Sequence, residues 1–163
     1  MQPVKWKIYK ILNYVLLVSA AILFLIMLTV LMDNLDDIKA YLLTCSFLMM
    51  IIQALINLYI IAKNLPYKIL TGSKLKWHVT ASIINFIAFL GLLIFLWFVL
   101  EKVTEPAHYT DEVGIIILLV CSFICFIDGF ILFCQFTLPA YLKKNSRNMA
   151  DSLINSIGSD TAI

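Results

Sequence analysis

Residues 113–138 read VGIIILLVCSFICFIDGFILFCQFTL, a run of twenty-six residues whose single charge is Asp128. An α-helix rises about 1.5 Å per residue, so about 20 such residues cross a hydrocarbon core of about 30 Å. Three more apolar runs of that length precede it, at 11–32, 40–62 and 77–100. None shows the strand alternation of a membrane barrel, and an open sheet edge in lipid would leave backbone groups unsatisfied. The sequence therefore predicts an all-α membrane protein, a four-transmembrane-helix bundle spanning 11–32, 40–62, 77–100 and 113–138. Residues 143–163 are left as a cytoplasmic tail.

Composition agrees. Of the 163 residues, 63% are hydrophobic and 13% charged, and mean hydropathy is +0.98. Soluble domains carry about 45–50% apolar residues, and a domain this small lacks the interior to hide such a surplus. A net charge of +2 excludes a nucleic-acid binder of the usual basic kind.

Charge sorts the connecting segments. Lys5, Lys7 and Lys10 precede the first run; Lys63, Lys68, Lys74 and Lys76 lie between the second and third; Lys143, Lys144 and Arg147 follow the fourth. The other two connections hold Asp33, Asp36, Asp37 and Lys39, then Glu101, Lys102, Glu105, Asp111 and Glu112. Ten of the twelve basic residues thus share one side, and the positive-inside rule places both termini in the cytoplasm. Trp6, Tyr41, Tyr67, Trp77, Trp97 and Tyr141 stand near the span boundaries, as an interfacial belt requires. The first run is longer than a signal-peptide core and no cleavage site follows it, so it reads as helix one.

The halves of the chain partly repeat. At an offset of 72, Ile11-Leu12-Asn13-Tyr14 falls on Ile83-Ile84-Asn85-Phe86; at 76, Leu42–Phe47 falls on Leu118–Phe123. Each half also ends in a Leu-Pro step, Leu65-Pro66 and Leu138-Pro139. Chance between Leu/Ile-rich spans explains this as well as a duplication does. A duplication would make the bundle two tandem helical hairpins related by an axis along the membrane normal.

Asp128 leads the candidate residues, because a carboxylate at mid-span costs about 2.5–3.5 kcal/mol on insertion scales and must face the bundle or water. Counted from the cytoplasmic ends, Asp128 lies roughly 15 Å deep, Gln53 about 13 Å and Asn85 about 12 Å. Asn13 matches Asn85 in the repeat. Asn57, one turn from Gln53, and Gln135, two turns from Asp128, extend this polar layer toward the cytoplasm. Two roles stand open. In one, Asp128 is a proton or cation site served by the amides; in the other it is protonated and fixes helix register through hydrogen bonds.

Chemistry of other kinds finds no foothold. Cys45, Cys121, Cys125 and Cys134 all lie within spans, away from any outward disulfide framework and without a Cys-x-x-Cys pair. Cys121, Cys125 and Asp128 share a helical face, but no His or Met completes a soft-metal set there. His78 and His108 fall on opposite sides. Ser46 and Ser122 have no base at their depth, and phosphate loops are absent. No cofactor is expected and no enzyme.

In the tail, Met149, Leu153, Ile154 and Ile157 recur at helical spacing, with Ser146 as N-cap and Gly158 as stop, which reads as a short amphipathic helix or a mobile tail. The terminal Thr161-Ala162-Ile163 is similar to the ends that PDZ domains read, though three residues carry little. The expected partners are the lipid bilayer and a protein partner or second copy. The expected function is that of a non-enzymatic accessory subunit, assembly factor or protective factor. The alternative is a small proton- or cation-coupled transporter or channel using Asp128.

Overall fold

The computed structural model describes residues 4–33, 38–64, 68–104 and 112–160. They form four helices: α1 (Val4–Asp33), α2 (Ile38–Lys63), α3 (Ser73–Thr104) and α4 (Glu112–Asp160). Among the described residues there is no strand, and all four helices are long and apolar enough to cross a membrane. Each helix satisfies its own backbone, which is why uninterrupted apolar runs adopt it wherever water is scarce.

Packing follows the chain: α2 lies against α1 and α3, α4 against α3, and α1 closes on α4 through the thinnest of the seams. The result is an up-down-up-down bundle in which α2 is the most enclosed helix. Its centre is built from Leu16, Ala20, Phe47, Met50, Ala54, Ala88, Leu92 and Ile131. The opposite faces carry large apolar side chains outward, among them Trp97, Phe126 and Phe136, each at least 69% exposed. Where α2 and α3 cross, Gly91 admits the Ser46 side chain so closely that a Cβ on residue 91 would overlap Ser46 Oγ.

The basic residues named above gather at one end of the bundle: Lys5, Lys7, Lys10, Lys63, Lys68, Lys76, Lys143, Lys144 and Arg147 are exposed there, and Lys74 is half-buried. Lys74 Nζ donates to the Lys63 carbonyl oxygen and, at 3.3 Å, to Asn64 Oδ1, capping α2 where its last carbonyls lack helical donors. Asn64 Nδ2 donates to the Lys68 carbonyl oxygen at 2.8 Å. Gly72, at φ 55°, turns the chain into α3, a left-handed conformation that glycine adopts without a Cβ penalty.

Two expectations change. The register match at an offset of 76 does not hold in space: Leu43, Thr44, Ser46 and Phe47 are buried, whereas Leu119, Val120, Ser122 and Phe123 are exposed. The burial pattern of α2 instead recurs in α4 at an offset of 78, while that of α1 recurs in α3 at 72. Identity between apolar residues misled because lipid-facing and core faces use the same residue types. The second change concerns Ser146, which caps no new helix. The helix runs unbroken through Pro139 from Glu112 to Asp160, Gly158 included.

Pro139 has no N–H to offer the Gln135 carbonyl one turn earlier. His78 of α3 supplies the missing donor, its Nε2 lying 3.1 Å from the Gln135 oxygen. The helix continues because its one broken rung is mended from outside.

Asp36, Asp37, Leu65-Pro66, Tyr67, Glu105, His108, Asp111 and the Thr161-Ala162-Ile163 end lie outside the described residues. So do the side chains of Leu153, Ile154 and Ile157, whose backbone is helical.

Candidate functional site: a closed polar layer

The six polar candidates come from all four helices and meet in the interior. Asn13 of α1, Gln53 and Asn57 of α2, Asn85 of α3, and Asp128 and Gln135 of α4 are each at most 1% exposed. Leu16, Met50, Ala54 and Ile131, all fully buried, belong to the same interior, so these groups find most of their partners among themselves. Asp128 and Gln135 are seven residues apart, so the layer is about 10 Å thick.

Its bonds run in a consistent direction. Asn57 Nδ2 donates to Asn13 Oδ1 at 2.9 Å and to Gln53 Oε1 at 2.8 Å. Gln135 Nε2 donates to Asn57 Oδ1 at 3.2 Å and to Gln53 Oε1 at 3.4 Å. Gln53 Nε2 donates to Asp128 Oδ1 at 3.3 Å, and Asn85 Nδ2 to Gln135 Oε1 at 2.8 Å. Asn13 Nδ2 leaves the layer to donate to the Tyr9 carbonyl oxygen at 2.8 Å.

One acceptor remains, Asn85 Oδ1, and it faces the Asp128 carboxyl oxygens at 2.7 and 2.9 Å. Turning the Asn85 amide end for end would let its nitrogen donate to both carboxyl oxygens, but its own oxygen would then meet Gln135 Oε1 at 2.8 Å. Two acceptors cannot share that distance. Turning Gln135 as well passes the conflict to Gln53 Oε1 and Asn57 Oδ1. A neutral Asp128 removes the oxygen-against-oxygen contact without any turn, since its O–H would donate to Asn85 Oδ1 at the usual O–H···O length. With the amides in this orientation, the close approach of Asn85 Oδ1 to the carboxyl calls for a proton on Asp128. A neutral carboxyl is also the form that an apolar interior tolerates.

The layer repeats within the chain. Asn57 bonds Asn13 across the first hairpin, and Gln135 bonds Asn85 across the second; the partners correspond at the offsets of 78 and 72 that match burial. Asp128 falls on Met50 in this register, so the acid belongs to one half only.

The residues that sequence reasoning missed are His78 and Tyr9. Both are buried, and both touch Gln135: His78 through the carbonyl oxygen, Tyr9 through the side chain. In the sequence His78 stands out only beside His108, on the opposite side of the membrane. The available signal was Pro139, which announces an unbonded carbonyl at Gln135 and a need for a donor.

Cys121 and Cys125 are buried and Cys45 is exposed. Among the described residues no group of three His, Cys, Asp or Glu side chains converges as a metal site would require. Compared with protein-family models, curated proteins and solved structures, the chain matches none.

Proposed function

We infer that the chain is a four-span integral membrane protein of the cell or cytoplasmic membrane, with both termini cytoplasmic. It works without catalysis, through lateral helix contacts and cytoplasmic docking, as an accessory subunit, assembly factor or protective partner. Insertion is supported by the outward apolar faces of all four helices, and orientation by the basic residues collected at one end. The matching amide pairs, Asn57 with Asn13 and Gln135 with Asn85, support two tandem hairpins.

One observation carries the functional reading: the polar layer closes on itself. Each of its six side chains is bonded to another of the six across helix boundaries, and with Asp128 neutral no two acceptors in the layer are left facing each other. A transport acid must ionise or hold a cation, and then Asn85 and Gln135 would set oxygen against oxygen. The layer is suited to fixing helix register, each such contact contributing about 0.6 kcal/mol. What remains for contact is the outside, including an open lateral groove between α3 and α4 lined by Phe89, Leu96, Phe126, Gly129, Phe130 and Phe133.

Affinity purification in mild detergent tests this. A stoichiometric partner or a defined homo-oligomer is the expected result. A monomer without partner, together with proton or cation flux in liposomes that Asp128→Asn abolishes, would replace this reading with transport.

A further inference from the structure

The basic end of the bundle carries charge of one sign only. Its three stretches, 1–13, 63–78 and 139–150, hold ten Lys and Arg and neither Asp nor Glu. The connections at the other end, 33–39 and 101–112, hold seven acidic residues against two basic. Nine of the ten cations are exposed, and the tenth, Lys74, is spent on capping α2. Cations crowded in this way repel one another, so the end is complementary to a ligand that brings many separate negative charges.

The placement of the cations says which ligand that is. All four helices contribute, with Lys7 and Lys10 on α1, Lys63 on α2, Lys76 on α3 and Lys143 on α4, so the charges ring the bundle instead of forming one patch. A folded acidic partner approaches from one direction, whereas lipid headgroups surround the whole perimeter. Large apolar side chains are exposed in the same turns, Ile8 and Ile11 next to Lys7 and Lys10, Leu75 and Trp77 on either side of Lys76. Cations interleaved with exposed apolar groups suit the boundary between headgroups and hydrocarbon. Two rings steady the amines at that level. Lys10 Nζ lies 5.9 Å from the Tyr14 ring centroid and Lys5 Nζ 5.8 Å from that of Tyr141, both within cation–π range. An ammonium has three donors, so amines held over a ring keep N–H groups for phosphate oxygens.

We propose that the basic end binds anionic phospholipids, as a girdle of headgroup phosphates held by lysines of all four helices. The proposal rests on the four-span reading, but not on which side of the membrane this end faces. Basic residues beside a bilayer attract anionic lipid, and the attraction fades within a Debye length, about 8 Å at physiological salt. Selection for negative charge is therefore confined to one leaflet. At the opposite end, where acids outnumber bases, neighbouring lipids are not selected for negative charge.

Two exposed tryptophans of α3 read the two ends separately, Trp77 beside Lys76 and Trp97 about 30 Å further along the helix. Single-tryptophan chains, made with Trp6→Phe and either Trp77→Phe or Trp97→Phe, are reconstituted in mixtures of phosphatidylcholine and phosphatidylglycerol with one lipid brominated. Bromine quenches a tryptophan only when that lipid touches it. Trp77 should favour phosphatidylglycerol about twofold or more, and Trp97 should show no such preference. Salt at 1 M, which screens charges beyond about 3 Å, should abolish the preference at Trp77. Lys63→Gln, Lys68→Gln and Lys76→Gln together should lower it. Equal preference at the two tryptophans, or a preference at Trp77 that salt leaves unchanged, overturns the proposal. Inorganic phosphate that competes better than chloride at equal ionic strength would assign the amines to a free anion and overturn it too. If neither lipid quenches either tryptophan, the four-span reading falls with it. The unmodified chain gives a second measure: anionic lipid retained through extraction in mild detergent should exceed its share of the starting membrane. A share equal to the input, or an acidic protein retained in place of lipid, overturns the proposal.

Discussion

His78 Nε2 stands 3.1 Å from the Gln135 carbonyl oxygen, the acceptor that Pro139 leaves without a helical donor. The pair makes a testable couple of a histidine and a proline that do not themselves bond. In the native chain, His78→Ala should cost about 1–3 kcal/mol, because it strands a buried carbonyl. In a Pro139→Ala background the backbone N–H of residue 139 returns and the same substitution should cost about 1 kcal/mol less. Unfolding of the four proteins in mixed micelles measures the cycle. Strict additivity would show that His78 serves some other group.

Asp128 as a neutral donor predicts an order among substitutions. Asp128→Asn keeps a donor for Asn85 Oδ1 and an acceptor for Gln53, and should lie within about 1 kcal/mol of the native stability. Asp128→Ala leaves both partners unpaired and should cost about 1–3 kcal/mol. The carboxyl stretch of the native protein at pH 7 should be that of a protonated acid, absent in Asp128→Asn. An ionised carboxylate band would contradict the proton placed on Asp128.

Gly91 sets the approach of α2 to α3. Gly91→Leu should destabilise by about 1–3 kcal/mol through overpacking, while Gly91→Ala should cost less, because the Ser46 hydroxyl can rotate away. Gly129 offers a comparison, since its Cβ would meet only the Phe89 ring edge at 3.0 Å. Thermal unfolding of Gly91→Leu and Gly129→Ala should place the first well below the second.

The proposed orientation predicts that reporters fused to either terminus act on the cytoplasmic side. A reporter inserted between α1 and α2, or between α3 and α4, should act outside. A mixed pattern at the two termini would remove a span from the count.

Much of the fold was legible because hydrophobic length is a local property. The four runs, the side carrying the basic residues and the six polar candidates could each be found without knowing what packs on what. Asp128 stood out by cost, Gln53 and Asn85 by depth. The bond from His78 to Gln135 was not legible, since a proline shows that a carbonyl is vacant but not which helix will fill it. Nor was the repeat register legible: Cys45 and Cys121 match by name while one is exposed and the other buried. The Ser146 cap failed for a related reason. Capping signals describe where a helix can start, and here the preceding helix had not ended.

Gln135 joins two parts of the molecule that are otherwise separate. Its side chain belongs to the polar layer, and its carbonyl is the rung broken by Pro139. Beyond that rung α4 continues to Asp160 as unbroken helix. The end of α4 therefore behaves as a handle whose root is the rung that His78 completes, and a load applied to it is felt first at the residue that ties α4 to the other helices.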